Sequence, residues 1–297
     1  LAALVVATVV SAPLSSEAGT VAHFRFENSG NLGLDETGNH NGTPVNGPTQ
    51  SALVGQNPVW QTGASNTGSL SLDFTGPADH IVVPDDNALD FGNNPWTIEA
   101  YVNLTLETAP TTLSTGQYVV QKKDAAPDTE GDYSLLIAGA RGTLPTGITY
   151  FDNGSYVGSG RNLQVEFGVG PGNLIAFRSV LEIPASGWAH ISAAYDGSQT
   201  VRFTLDTNLN DGVIDASETI VAGSSFTPTI NAGALFIGAK RNGVGNPAQG
   251  FNGLIDEVRI SNTVLDQTQL LTVPEPTSLA LLAGCGVFSL VRRRRRR

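Results

Sequence analysis

The chain has 297 residues, a formal net charge of −11, 34 glycines, 16 prolines, one cysteine and no methionine. With the two ends set aside, the basic residues fall to 10 and the acidic ones to 25, so the body carries about −15. A surface this acidic repels nucleic acid and anionic lipid, and a body without cysteine has no disulfides. It remains compatible with calcium, or with a neutral glycan held by hydrogen bonds and stacking.

In chain order, the first element is apolar and small: Leu1 to Ala12, then Ser16-Glu17-Ala18 before Gly19. This reads as the hydrophobic and cleavage regions of a secretory signal over residues 1–18, with its basic start upstream of Leu1. The run is too short for a permanent membrane span. From Gly19 to Val273 the chain reads as strands: Val21–Glu27, Ser69–Phe74, His80–Pro84, Trp96–Leu104, Gln117–Lys123, Asp132–Ala138, Gln164–Val169, Leu174–Leu181, Trp188–Tyr195, Thr200–Asp206, Leu235–Lys240 and Gly253–Ser261. Alternation is clear in Trp96 to Val102, where Trp96, Ile98, Ala100 and Val102 form an apolar face and Thr97 and Glu99 the other. Trp188 reads as core like Trp96. A short helix is predicted after Asp266, where Asp266-Gln267-Thr268-Gln269 offers a cap. Many strands broken by Gly, Asn, Asp and Pro turns predict an all-β, two-sheet antiparallel sandwich. The body has no 20–50-residue repeat and no Pro- or Ser-rich linker, which predicts one domain over residues 19–273.

Six segments, in order, match one family: Val21 to Glu27; Asp35 to Gly42; Ser71 to Gly76 with Asp79 to Pro84; Trp96 to Val102; Trp188 to Ile191 with Tyr195-Asp196-Gly197; and Gly253 to Ser261. This order resembles the LamG-like, concanavalin A-like lectin/glucanase jelly roll over roughly Gly19 to Leu271. The resemblance implies a β-sandwich, frequently with a structural calcium ion, and often glycan or protein binding. It also implies that an aspartate of the closing strand, here Asp256, binds calcium together with oxygens of the opening strand near Glu27. Asp256 alternates with Val258 and Ile260, which face the core, so an ionised carboxylate there needs a cation or several backbone hydrogen bonds.

The superfamily includes hydrolases, whose pattern is Glu-x-Asp-x-x-Glu on one sheet face. The only Glu-x-Asp is Glu130-Gly131-Asp132, with no second glutamate and a glycine between the acids, so no catalytic pair is assigned. His23, His40, His80 and His190 match no zinc spacing, and His23 and His190 read as hydrogen-bonded strand residues. A second acidic cluster, Asp206 to Glu218, resembles an EF-hand-type calcium loop, with Asp206, Asn208, Asn210 and Glu218 as candidate ligands. One extra residue displaces its glycine and its terminal glutamate, so a plain acidic hairpin turn stands beside that reading. For sugar stacking, Tyr150, Phe151, Asn153 and Tyr156 combine aromatic and amide groups in one segment, and Trp60 is a further candidate, each weighed against ordinary packing.

The tail is Val273-Pro274-Glu275-Pro276-Thr277, then an apolar run to Val291, then Arg292 to Arg297. The apolar run of about 15 residues is slightly short for the ~17–25 of a spanning helix, and snorkelling by Arg292 extends it. It is predicted as one C-terminal hydrophobic helix crossing the membrane, with the arginines on the cytoplasmic side. The arrangement closely resembles the PEP-CTERM sorting signal of Gram-negative envelope proteins, with Pro274, Glu275 and Pro276 as its motif over residues 274–297. That resemblance implies export, cleavage by an exosortase-type membrane peptidase, and retention at the envelope or release into the extracellular matrix. An ordinary membrane anchor is the plainer reading, and Cys285 is a lipidation site or a small apolar residue of that helix. Together these features predict an exported, non-catalytic protein that binds a polysaccharide or cell-surface glycan, with calcium as cofactor. A glycoside hydrolase and a matrix protein without specific ligand are the alternatives.

Overall fold

The structure, a computed structural model, describes residues 19–52, 70–74, 79–104, 116–124, 131–139, 147–153, 160–209, 211, 213–241 and 247–271. The secretory-signal segment and the predicted C-terminal helix lie outside these residues. Among the described residues eighteen strands follow one another: β1 (Thr20–Phe24), β2 (Thr43–Val45), β3 (Thr49–Ala52), β4 (Leu70–Phe74), β5 (His80–Val83) and β6 (Trp96–Asn103). Then come β7 (Gln117–Lys123), β8 (Tyr133–Ala138), β9 (Ile148–Phe151), β10 (Asn162–Gly168), β11 (Leu174–Glu182) and β12 (Trp188–Tyr195). The last are β13 (Thr200–Asp206), β14 (Ala216–Val221), β15 (Ala234–Ile237), β16 (Lys240–Arg241), β17 (Pro247–Ala248) and β18 (Gly253–Ser261). After Asp266 the predicted helix is a single 3-10 turn, Gln267–Gln269, closed by the expected capping box.

Two eight-stranded sheets form the sandwich. Sheet A runs β14-β13-β12-β6-β18-β4-β3, with β1 beside β18, and sheet B runs β2-β5-β15-β7-β8-β10-β11-β9. All pairs are antiparallel except β9 with β11. The chain reverses between β9 and β10 and again between β10 and β11, so β9 and β11 point the same way when they meet at the sheet edge. The alternation read in β6 holds: Trp96, Ile98, Ala100 and Val102 are at most 1% exposed and join the inter-sheet core. Trp96 is the centre of an aromatic cluster, with ring centroids 5.6 Å from Tyr133, 5.8 Å from Phe167 and 6.0 Å from Tyr195. Trp188 is buried as expected, but in a second, smaller cluster. In β12 its neighbour Ala189 faces the core, so Trp188 faces outward and packs with Tyr101 and Leu209 in a small cluster on the outer side of sheet A.

That outer side is covered by the segment after β18. Thr97 Oγ1 donates to the Thr263 carbonyl and accepts from Leu265 N–H. Arg202 donates to the Leu265 carbonyl, and Arg259 to the Gln269 carbonyl at 2.6 Å. Leu271 N–H donates to Glu99 Oε2 at 2.9 Å. Glu99 is fully buried, and its other partners are Arg259 Nε at 2.6 Å and His190 Nε2 at 2.8 Å. Burial alone would raise the Glu99 carboxyl; the Arg259 charge and the His190 bond outweigh it and bring it down to about 2.

A second buried charge sits at the loop end of sheet B. Lys122 has no exposed surface, and its Nζ lies 2.7 Å from Asp85 Oδ1, 2.7 Å from Asp90 Oδ1 and 3.6 Å from Asp132 Oδ2. It also donates to the carbonyls of Asn231 and Gly233. One ammonium serves three carboxylates, so Asp132 is under-compensated: burial pushes its carboxyl up to about 7 despite Lys122. Because this folded-state value lies above the unfolded one of 3.8, Asp132 supports the fold below about pH 4 and weakens it as pH rises to 7. Asp132→Asn is expected to remove a loss of stability of at most ~4 kcal/mol between pH 4 and 8. Denaturant unfolding of both proteins across that range checks it; parallel curves would refute it.

Candidate functional site

The outward face of sheet B carries a continuous polar chain. Cross-strand partners share a face, so register places Tyr118 (β7), Leu136 (β8), Gln164 (β10) and Arg178 (β11) in one outward row. The next row holds Phe236, Gln121, Ser134, Glu166, Ala176 and Tyr150. Side chains then link the rows. Tyr118 donates its hydroxyl to Glu166 Oε2 at 2.6 Å, and Gln164 Nε2 donates to Glu166 Oε1 at 2.7 Å. Arg178 Nε donates to Gln164 Oε1 at 2.5 Å, and its guanidinium lies over the Tyr150 ring at 5.3 Å. At the other end, Lys240 Nζ lies 5.2 Å over Tyr118 and Arg241 lies 5.6 Å over Phe236, on which His80 also stacks. The chain spans five strands, about 19 Å at the usual strand spacing. The row itself is nearly covered, whereas Tyr150, Lys240 and Arg241 at its rim are partly exposed. At the rim, Tyr150 brings an aromatic ring and Lys240 and Arg241 bring charge to partly exposed positions, groups that suit a polar ligand.

Of the aromatic residues predicted from sequence, Tyr150 stands on this face. Phe151, one residue on, has the opposite parity: partly buried, it packs on Phe177 at 5.4 Å against the core, away from this face. Asn153 also lies away from the face, because its Nδ2 donates to Glu218 Oε1 at 2.5 Å across the sandwich edge. Tyr156 and Trp60 lie outside the described residues. The sequence reading missed Tyr118, Gln164, Glu166, Arg178, Lys240 and Arg241. The alternation Leu163-Gln164-Val165-Glu166-Phe167 carries a signal for two of them; the pairing of their strands does not show in the chain.

The closing strand departs from simple alternation. Ile255 pairs Val102 and Asp256 pairs Tyr101, but Arg259 then pairs Glu99, so Glu257 and Val258 together oppose the single Ala100. Glu257 takes φ +49 at this point. The bulge resets the parity: Val258 and Ile260 face the core, whereas Asp256 turns outward beside Tyr101, contrary to the expected shared face. Asp256 is still fully buried. Its Oδ1 accepts Glu257 N–H, and its Oδ2 has no hydrogen-bond partner. Burial, with the nearby charges of Glu257 and Glu27, raises its carboxyl well above the usual range. Burial opposes ionisation of Glu257 as well, but His23 at 2.6 Å and Arg25 at 2.9 Å overcome it and hold that carboxyl low. Glu27 follows Phe26, another left-handed residue at φ +58, and its Oε1 accepts Leu70 N–H. Of the expected pair, Glu27 thus acts on Asp256 through its charge. His23 and His190 each bond a buried glutamate, although His190 Nδ1 has no partner.

The acidic cluster does not close around one ion. Phe203 faces the core and pairs Glu218, so Glu218 lies on the inner side, accepting from Ser179 Oγ and Val180 N–H of the opposite sheet. Asp206 has the other parity and faces outward, opposite His190. The expected set of Asp206 and Glu218 is therefore split between two faces. Asp206 Oδ1 accepts Asn208 N–H, Asn208 Nδ2 donates to Asp211, and Asp215 accepts from Thr207 and Asn208: the features of a hydrogen-bonded hairpin turn. Asn210 lies outside the described residues. Among the described residues no three His, Cys, Asp or Glu side chains converge on a metal position. Asp132, the acid of the Glu-x-Asp pair, sits in the Lys122 cage, and Glu130 lies outside the described residues.

Glu166 is the hub of the outer-face chain. Glu166→Ala takes away an acceptor shared by Tyr118 and Gln164 and is expected to destabilise by roughly 1–3 kcal/mol, with Glu166→Gln costing less. Thermal unfolding of the two variants side by side measures this, and equal midpoints would show that the chain is not energetically connected.

A family profile for the concanavalin A-like lectin/glucanases superfamily matches residues 74–271. A second profile, the PEP-CTERM protein-sorting motif, matches residues 272–296. No curated protein matches the sequence. Among solved structures, domain 4 of AbnA, a GH43 extracellular arabinanase from Geobacillus stearothermophilus in complex with arabinotriose, aligns with a TM-score of 0.52 at 21% identity, over 86% of this chain and 97% of that one. The binding domain of botulinum neurotoxin serotype G aligns with a TM-score of 0.50 at 9% identity, over 85% of this chain and 50% of that one. At these identities the likeness is one of fold. The chain belongs to the concanavalin A-like lectin/glucanases superfamily and carries the PEP-CTERM sorting motif directly after that domain.

Proposed function

We propose that this exported, envelope-sorted protein is a non-catalytic glycan-binding module that meets a polysaccharide of the cell surface or its matrix at the partly exposed rim of sheet B's outer face, where Tyr150, Lys240 and Arg241 stand. The observation that carries the reading is the unbroken chain from Lys240 through Tyr118, Glu166, Gln164 and Arg178 to Tyr150. Prearranged polar groups beside aromatic rings hold a sugar with little ordering cost. The arabinanase domain of the same fold, solved with arabinotriose, is consistent with it. The sorting motif at residues 272–296 supports processing by an exosortase-type peptidase at a Gram-negative envelope. Affinity electrophoresis of the full chain on a polysaccharide panel tests the reading. At least one polymer is expected to retard the protein, and Tyr150→Ala is expected to reduce that retardation about tenfold; a panel without retardation would refute it.

Calcium is the proposed structural ion. The buried, unpartnered Oδ2 of Asp256 beside Glu27 is the observation in its favour. An ion there would take its remaining oxygens from backbone or water. It would compensate two carboxylates that otherwise repel. Added calcium is expected to raise the unfolding midpoint of the wild type and leave Asp256→Asn unchanged. An equal response of both proteins would exclude this position.

A further inference from the structure

The cage around Lys122 holds more oxygens than an ammonium can bond. They come from three places in the chain: Asp85 and Asp90 between β5 and β6, Asp132 just ahead of β8, and the Asn231 and Gly233 carbonyls ahead of β15. An ammonium has three donors. They go to Asp85 Oδ1 at 2.7 Å, the Asn231 carbonyl at 3.0 Å and the Gly233 carbonyl at 2.9 Å. Asp90 Oδ1 is also 2.7 Å from Nζ, yet it accepts no hydrogen bond, and the buried Oδ1 of Asp132 has no partner either. Three carboxylates thus face one ammonium, and two of them keep an unbonded oxygen. The backbone is drawn in tightly around this point. A Cβ on Gly233 would lie 2.2 Å from the Lys123 carbonyl carbon, and one on Gly131 would lie 2.7 Å from the Lys122 carbonyl oxygen.

We infer that this cage is a calcium-type cation site whose ion is supplied by the chain itself, the Lys122 ammonium standing where a divalent cation would sit. A hard divalent ion takes roughly six to eight oxygens, carboxylate and carbonyl alike, and is not limited to three directed bonds. The nearest oxygens, at 2.7–3.0 Å from Nζ, need move only a few tenths of an ångström to reach the ~2.3–2.6 Å of calcium coordination. With the amine in place no three acidic side chains among the described residues converge on a metal position. The tethered charge therefore joins the three segments without drawing on free calcium. The cage belongs to sheet B, apart from Asp256 on β18 of sheet A, and the inference stands independently of the glycan reading.

The test uses the full chain carrying Asp256→Asn, so that the other calcium position is silent. Thermal unfolding is followed in chelator, in calcium, and in sodium chloride of equal ionic strength. The parent with Lys122 is expected to keep one midpoint in all three. Lys122→Ser leaves the carboxylates unpaired and opens the space, so its midpoint is expected to fall in chelator and to rise in calcium by about 5 °C or more. Lys122→Met fills the same space with an apolar chain and is expected to gain no response. Adding Asp132→Asn to Lys122→Ser is expected to weaken the calcium response at least tenfold in apparent affinity. A Lys122→Ser protein that responds to calcium no more than its parent, or that stays unfolded at every calcium concentration, overturns the inference. So does an equal rise in sodium chloride, which marks screening of loose charges, or an equal rise in Lys122→Met, which places the ion elsewhere.

Discussion

One buried carboxylate, Glu99, ties sheet A together. It sits on β6, takes Arg259 from β18 and His190 from β12, and accepts the last described backbone N–H of the domain, from Leu271. A fully buried ion pair is no automatic gain, because each charge gives up its hydration, and the net result depends on complete pairing. Here pairing is dense enough to hold the carboxyl at about 2 in spite of burial. The outer side of sheet A can therefore be polar and covered at once. The segment over it docks on a fixed charge as well as on apolar contacts with Tyr101, Trp188 and Leu209.

The two outer faces of the sandwich have diverged in kind. On sheet A, Asp206, His190, Tyr101 and Asp256 fall in one register row across four strands, and all four side chains are almost wholly buried. On sheet B the outward side chains form a connected chain that reaches a partly exposed rim. The difference follows from what crosses each face. The segment 262–271 lies over sheet A. Sheet B is crossed near β7 by β16, which brings Lys240 and Arg241 to its aromatic rings. Gly238, at φ +87 against the Phe74 ring, lets the chain turn there where a side chain would collide.

Period-two alternation makes the core legible in the chain itself. Trp96 to Val102 and Leu163 to Phe167 place their apolar residues inward, as their spacing predicts. What alternation cannot reveal is a reset. The bulge at Glu257 turns Asp256 to the opposite face from Val258 and Ile260. The same logic separates Tyr150 from Phe151 and Asp206 from Glu218, pairs that look like single clusters along the chain but belong to two faces. Trp188 shows the same logic: it is buried as a large aromatic residue should be, yet parity places it in the small cluster on the outer side of sheet A. The polar chain of sheet B depends on β7, β8, β10, β11 and β9 being successive neighbours. That adjacency is set by sheet order, and no local pattern encodes it.

The covering segment 262–271 also defines a path for force. The sorting motif begins at residue 272, so tension from an envelope attachment would enter the domain through Leu271. It would meet the Leu271, Gln269 and Leu265 contacts in succession, each able to release alone. Ten freed residues extend by about 34 Å at the length of a stretched chain. Only then would load reach β18, which is gripped by β6 on one edge and by β4 and β1 on the other, an arrangement that resists by shear. Under such a load the segment would spend its slack before the sandwich is strained.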